Sequence, residues 1–463
     1  MNADDLAFAS AQEVASRVRS GDLSAREVTE VFLARAQRLQ PRLNCFIAVL
    51  PDHAVEQARA IDEAVAARRP VGPLAGVPIG IKDIVDVSGT TTTAGSHRRF
   101  HHEAPSDATL TARLRAAGAV VIGKTSLHEF AYGVTNNNAH YGPTRNAWDP
   151  SRISGGSSGG SAVAVSAGLC AGAVGTDTGG SIRIPASLCG IVGIKPTYGR
   201  VPVDGIVPLA WSLDHAGPLT RTVRDAALFL DVMAATEGVQ GFSRALDGPG
   251  TLSGIRIGVP RTFFWERLDD EVAALAEAAL QVLQHLDGEA VACEVPYASY
   301  AGAVAAVILS AEATAFHESR LRTHPEAYGD DVRIRLERGI FLSATEYVTA
   351  LRARRFLRQE YARMFETSDV LVMPATQVPA SPIEEDPETS SGTSLAMSVQ
   401  LTRFTNPFNT TGLPALSLPC GFTRGGLPAG LQVVGPAGAE AVVLRVGDAY
   451  ERAAGWTSRR SRI

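Results

Sequence analysis

Basic surplus, closely spaced cysteines and long apolar runs are all missing from this 463-residue chain, and each absence removes a class of function. Lys and Arg number 43 against 48 Asp and Glu, a net charge of −5. That leaves no basic excess to hold nucleic acid or anionic lipid, and neither partner is expected. The five cysteines, Cys45, Cys170, Cys189, Cys293 and Cys420, are odd in number and widely spaced. Such spacing argues against a disulfide framework and against a thiolate zinc site, and leaves most of them as small buried hydrophobes. No segment offers about 18 uninterrupted apolar residues, and the start, MNADDLAFASAQEV, lacks the basic and apolar regions of a secretory signal. A cytoplasmic location without a membrane partner is expected.

Metal-binding patterns are equally thin. His128-Glu129 lacks the second histidine of H-E-x-x-H, because position 132 is Tyr132. His97, His101 and His102 cluster in HRRFHH without an acidic or cysteine partner at matching spacing, so they read as a solvated loop and no metal or other cofactor is expected.

What is present is an alternation of helix and strand signals. Ser10 with Glu13, and Ser24 with Glu27, have capping-box spacing, and each opens a periodic run, so the first forty residues read as two helices. CFIAVL then reads as a strand, an Ala-rich helix follows over roughly 53–68, and PLAGVPIGIKDIVDVSG reads as short buried strands punctuated by Gly and Pro. Residues 269–365 read as a helical stretch, DVLVMPAT as a buried strand, PASPIEEDPETSSG as an exposed loop, and PALSLPCGF with LPAGLQVVGP as a closing strand pair. This alternation predicts an α/β sandwich.

Two motif matches mislead. Gly118 to Thr125, GAVVIGKT, fits the phosphate-loop pattern letter for letter, yet its four variable residues, Ala-Val-Val-Ile, read as a strand rather than an open turn. Gly155 to Gly159, GGSSG, fits the G-x-S-x-G nucleophile elbow, but a polar approach, RNAWDPSRIS, replaces the apolar strand that the elbow requires. Nor does His215, His285, His317 or His324 sit in a recognisable catalytic loop.

A different constellation suits an amide-cleaving serine, which needs a base within reach and donors already aimed at the oxyanion. The Gly-rich run GTDTGGSIRIP, residues 175–185, allows backbone N–H groups to converge at its end. Lys82, in PIGIKD, is a lone cation after an apolar run, where burial lowers its pKa and leaves a usable neutral fraction. The plainer reading of Lys82 is a residue paired with its neighbour Asp83.

The runs GGSSGGSAVAVSAG and GTDTGGSIRIPASLCGIVGIKPT together resemble the signature block of the amidase signature family, with Ser157 and Ser181 standing 24 residues apart and Lys82 in a GIKD context. GTTTTAGS, YGPTRNAWDPSRISGG, SLDHAGPLTRTVRDAAL and FTNPFNTTGLPALSLPCG extend the likeness over roughly 5–240 and 365–450, whereas 240–365 matches weakly. The resemblance implies an α/β/α sandwich around a mixed, twisted sheet. It implies a single domain of 1–463, with a signature core at about 70–235, a variable substrate-side region at about 240–365 and closing strands at about 366–450, often as a homodimer.

Carried over position by position, the resemblance makes Ser181 the acyl-accepting nucleophile. Ser157, held after Gly156 by a cis peptide bond, becomes the bridge passing a proton to Lys82, the general base. The N–H groups of Thr178, Gly179, Gly180 and Ser181 become the oxyanion hole. Ser158, Asp177 and Arg183 then orient the loops, although a purely structural ion pair fits Asp177 and Arg183 equally well. By position, Ala131, Tyr132 and Gly133 line the acyl side of the cleft. The implied reaction is hydrolysis of a small carboxamide, anilide or related carbamate through an acyl-enzyme. Two alternatives share the scaffold: an ester or urethane hydrolase, and the glutaminase component of a tRNA-dependent amidotransferase. Against the latter, SSGTSLAMSVQLTRF lacks that subfamily's acidic glutamine-binding segment. A catalytically silent binding protein is disfavoured because Lys82, Ser157 and Ser181 are all present.

Overall fold

The computed structural model describes residues 2–236, 241–248, 250–383, 396–461 and 463. Among them, eleven strands form one mixed sheet: β1 Phe46–Val49, β2 Pro78–Lys82, β3 Val120–Thr125, β4 Gly172–Asp177, β5 Val192–Lys195, β6 His215–Thr220, β7 Arg256–Pro260, β8 Glu289–Cys293, β9 Val370–Pro374, β10 Ala415–Phe422 and β11 Pro428–Val434. Their spatial order is β1-β3-β2-β4-β6-β5-β10-β11-β9-β7-β8. β2 runs parallel to both β3 and β4, and β7 runs parallel to β8 and β9, while the pairings around β5, β6, β10 and β11 are antiparallel. Every residue of β2, β3, β4, β5, β6, β9 and β11 is buried. That is the pattern of strands covered by helices on both faces, and it explains their near-continuous apolar sequences.

The expected helices form. Ala11–Ser20 and Ala25–Leu43 start where Ser10 and Ser24 accept the N–H of Glu13 and Glu27, at 3.0 and 3.3 Å. The second continues through Pro41 to a left-handed cap at Asn44. β3 contains Gly123, Lys124 and Thr125, so the phosphate-loop letters lie inside a buried strand with no turn to cradle phosphate. The helical reading of 269–365 needs one correction: β8 interrupts it. Glu289–Cys293 is the sheet's edge strand, and its exposed and half-exposed positions carry none of the apolar alternation that would announce it. Of the expected loop at 379–392, residues 384–392 lie outside the described residues.

The later helices that matter for the site are α1 Gly159–Ser166, α2 Arg183–Cys189, α3 Ala298–Thr323, α4 Asp330–Ile340, α5 Ala344–Met364 and α6 Asn406–Thr411. α3 is long and apolar enough to cross a membrane by length and composition. It packs instead against α4, α5 and α6, and buries Glu312 and His317. β2 and β4 pair in parallel with Ile79 opposite Gly172 and Ile81 opposite Val174, so Lys82 and the end of β4 arrive at the same edge of the sheet. In sheets of this kind the carboxyl ends of parallel strands are where loops gather to form sites.

Candidate active site

Lys82 closes β2 and its side chain is fully buried. Its Nζ donates to three hydroxyls: Ser157 Oγ at 2.8 Å, Ser158 Oγ at 2.9 Å and Thr176 Oγ1 at 2.8 Å. No carboxylate of the described residues joins them. Asp83, in the turn that follows β2, pairs instead with the buried Lys124 at 2.8 Å, which overturns the plain Lys82–Asp83 pairing. Burial pushes the Lys82 ammonium down to about 7, against the charges of Asp177 and Asp214, which raise it.

Ser157 and Ser158 precede α1, and the Gly156–Ser157 peptide is cis. The turn fits tightly: a Cβ on Gly160 would come within 2.3 Å of Ser126 O and 2.5 Å of Cys45 O. The segment is therefore buried architecture and not a linker. Ser158 Oγ donates its proton to Thr176 O at 3.1 Å and accepts Thr176 N–H at 3.2 Å. It is thus committed as an acceptor toward Lys82. Ser157 Oγ has no such commitment: its own proton finds no acceptor among the described residues.

Ser181 lies across from this pair. Ser158 N donates to Ser181 O at 3.2 Å, while Ser181 Oγ makes no hydrogen bond among the described residues and lines the open cleft. The loop carrying it folds around Asp177, whose carboxylate accepts Gly180 N at 2.8 Å, Ile182 N at 3.1 Å and the Arg183 side chain at 3.0 Å from both Nε and Nη2. Arg183 is itself fully buried, and it reaches Gln432 Oε1 at 2.7 Å, Asn409 Oδ1 at 2.5 Å and Thr405 O at 3.1 Å. Burial alone would raise the Asp177 carboxyl, but the charges of Arg183 and Lys195 more than offset this and hold it below the ordinary range. The ion pair and the loop are therefore one structure, so the orienting and the structural readings of Asp177 and Arg183 coincide.

The N–H of Gly180 is already accepted by Asp177, so within the expected oxyanion set it is not a free donor. The N–H groups of Thr178, Gly179 and Ser181 have no acceptor among the described residues. Gly180 instead supplies conformation: its φ is +137°, and a Cβ there would come within 2.4 Å of Thr405 Oγ1. Thr178 is tied down by its side chain, which donates to Asp214 at 2.6 Å. Burial pushes Asp214 up to about 6, against the Thr178 hydroxyl and the N–H groups of Ala210 and Leu209.

Two cavities meet at this loop. One, of about 220 Å³, is lined by Ser181, Thr178 and Gly179, by Ala131, Tyr132 and Gly133, and by residues of α3, α4 and the segment before α6. The other, of about 230 Å³ and mainly apolar, lies beside Thr176, Asp214 and His215. His215 is buried, and its Nδ1 lies 2.7 Å from Leu213 O and 3.2 Å from Asp177 O, so that nitrogen carries the proton. Burial holds the ring neutral. No histidine ring among the described residues hydrogen-bonds to Ser157, Ser181 or Lys82, and the hydrolase-elbow reading of GGSSG fails on that point. His97, His101 and His102 take separate partners: Arg99 N, Ser96 O and Asp86.

The sequence model of the Amidase family matches residues 27–444. The chain belongs to the amidase signature family. It is 41% identical over 458 residues to an amidase of Pseudomonas putida, covering 96% of each chain. It is 39% identical over 477 residues to a glutamyl-tRNA(Gln) amidotransferase subunit of Chloroflexus aurantiacus, again covering 96% of each. The crystal structure of an amidase, 36% identical, superposes with a TM-score of 0.87 over 96% of this chain and 99% of that one. Family and neighbours are hydrolases of carbon–nitrogen bonds, and this amidase-family chain is one too.

Several residues of this amidase-family site carry no signal of their own. Thr176 and Asn409 lie inside GTDTGGS and FTNPFNTTG, yet nothing in either motif singles out the residue that touches Lys82 or the one that clamps Asp177 with its Nδ2 at 2.8 Å. Gln432 sits 249 positions from Arg183, and only the β10–β11 hairpin brings it close.

Proposed function

We propose that this protein is a free-standing, serine-dependent amide hydrolase that acts on a small carboxamide, anilide or related carbamate. Ser181 Oγ attacks the carbonyl carbon and its proton passes to Ser157. Ser157 passes its own proton to the neutral amine of Lys82. The developing oxyanion is met by the N–H groups of Thr178, Gly179 and Ser181, with Gly180 and Asp177 holding that loop in shape. As the intermediate collapses, the C–N bond breaks and the departing amine takes back the proton through Ser157. A water then follows the same route in reverse roles and releases the acid from Ser181.

The observation that carries this reading is the set of three hydroxyls around Lys82. Ser158 is locked as an acceptor, which leaves Ser157, whose own proton has no acceptor among the described residues, as the serine beside Lys82 able to move a proton. A base at about 7 is roughly half neutral at pH 7, which suits a group that must take and return a proton in one turnover.

The glutaminase alternative draws on the amidotransferase components among the relatives. Against it, the cleft wall near α6 carries Ser398, Thr402 and Asn406, and no carboxylate of the described residues lines the cleft to receive an α-ammonium group. The test is kcat/KM for anilides, primary amides, esters and glutamine with the purified chain alone. Ser181-dependent anilide or amide cleavage supports the reading. Ammonia release from glutamine alone, and only with partner proteins added, would overturn it.

A further inference from the structure

We infer that the cleft beside Ser181 selects acyl groups ending in a carboxylate, bound by Arg338; this rests on the hydrolase reading above. Among the described residues, the ionisable ones lining that cavity are Tyr132, Arg335 and Arg338, so the fixed charge they bring is positive. Both arginines come from α4, three positions apart and therefore on one face. Their situations differ. Arg335 is anchored: its Nη1 donates to Asp331 at 2.5 Å and to Tyr132 O at 3.0 Å, and its guanidinium lies 5.9 Å from the Tyr132 ring centroid. Asp331 offsets that charge. Arg338 is exposed at the cavity wall and forms no ion pair with any described residue, and its charge reaches the half-buried Tyr132 phenol.

The remaining walls fit an acyl group of that kind. Ala305 and Leu309, one helical turn apart on α3, give a short apolar surface, and Ser398 and Thr402 add neutral hydroxyls. A chain with a few methylenes between the scissile carbonyl and a terminal carboxylate meets apolar contact along its length and a planar, two-donor cation at its end. A terminal ammonium meets the Arg338 charge and, among the described residues of the lining, no carboxylate.

The experiment compares the mono-p-nitroanilide of glutaric acid, which keeps one free carboxylate, with the p-nitroanilides of pentanoic acid and 5-aminopentanoic acid, in wild type, Arg338→Gln and Arg338→Lys. The expected kcat/KM order is glutaryl, pentanoyl, 5-aminopentanoyl, with at least about tenfold between the first and last at low salt, shrinking as salt is added. Arg338→Gln should lower the glutaryl-to-pentanoyl ratio at least about tenfold, mainly through KM, with partial recovery in Arg338→Lys. A preference for the ammonium, no charge preference, or an unchanged ratio in Arg338→Gln overturns the assignment. Should that leave pentanoyl cleavage Ser181-dependent, the hydrolase reading still stands. A second readout needs no turnover: calorimetric binding of glutarate to Ser181→Ala, which should weaken at least about tenfold when Arg338→Gln is added. Equal binding by both proteins overturns the subsite even if none of the anilides is cleaved.

Discussion

Replacing Thr176 by valine removes one of the three acceptors around the Lys82 ammonium while nearly keeping the side chain's shape. The charged form of Lys82 uses all three hydroxyls, and the neutral amine needs fewer donated bonds, so the substitution costs the charged form more. A hydrogen bond to a charged group contributes about 1.5–3 kcal/mol, and loss of about 1 kcal/mol of difference lowers the pKa by about 0.7 unit. Wild-type activity should fall on the acid side, because below a pKa of about 7 Lys82 carries the proton it must accept. Each pH unit below that point should cost about tenfold in kcat/KM. Asp214, pushed up to about 6, titrates in the same window, so the limb reports the coupled pair. The assay is kcat/KM for one anilide from about pH 5 to 9. In Thr176→Val the acid limb should move down by about half a unit to one unit. A limb that moves up, or one that stays put while the plateau collapses, refutes Lys82 as the titrating base.

Three other outcomes follow from the same geometry. Ser158→Ala removes a Lys82 acceptor and the bond to Thr176 O, so kcat should fall by about ten- to a hundredfold with little change in KM, measured by steady-state kinetics. Arg183→Leu leaves the Asp177 charge buried without its partner and should cost about 3–5 kcal/mol in denaturant unfolding, with Arg183→Lys recovering only part because an ammonium cannot also reach Gln432 and Asn409. Gly160→Ala drives a methyl group into the carbonyls of Ser126 and Cys45 and should lower Tm by several degrees or prevent folding, read by calorimetry and soluble yield.

Much of this site was legible because its chemistry is concentrated in two short Gly- and Ser-rich runs. Lys82 and Ser157 stand 75 residues apart, yet each lies in a motif that carries the family resemblance. The apolar Ala-Val-Val-Ile of GAVVIGKT already argues for a strand, whereas the pairing of Asp83 with Lys124 instead of its neighbour Lys82 depends on the fold. Other features depend on tertiary contact alone. The engagement of Gly180 N–H by Asp177 follows from how the loop wraps its own carboxylate, which spacing does not encode. β8 escaped because an edge strand with exposed residues has no buried face to imprint a pattern. The cationic cleft escaped because α4 lies in the weakly matching region, and an i,i+3 arginine pair on a helix ordinarily reads as a solvated face.

The central claim, that Ser181 forms the covalent bond while Ser157 only relays a proton, is tested most directly by labelling with a slowly deacylating aryl carbamate. The intact protein should gain one carbamoyl mass. Peptide mapping should place it on Ser181, and Ser157→Ala should label more slowly at the same residue. A label on Ser157, or undiminished labelling in Ser181→Ala, contradicts the account.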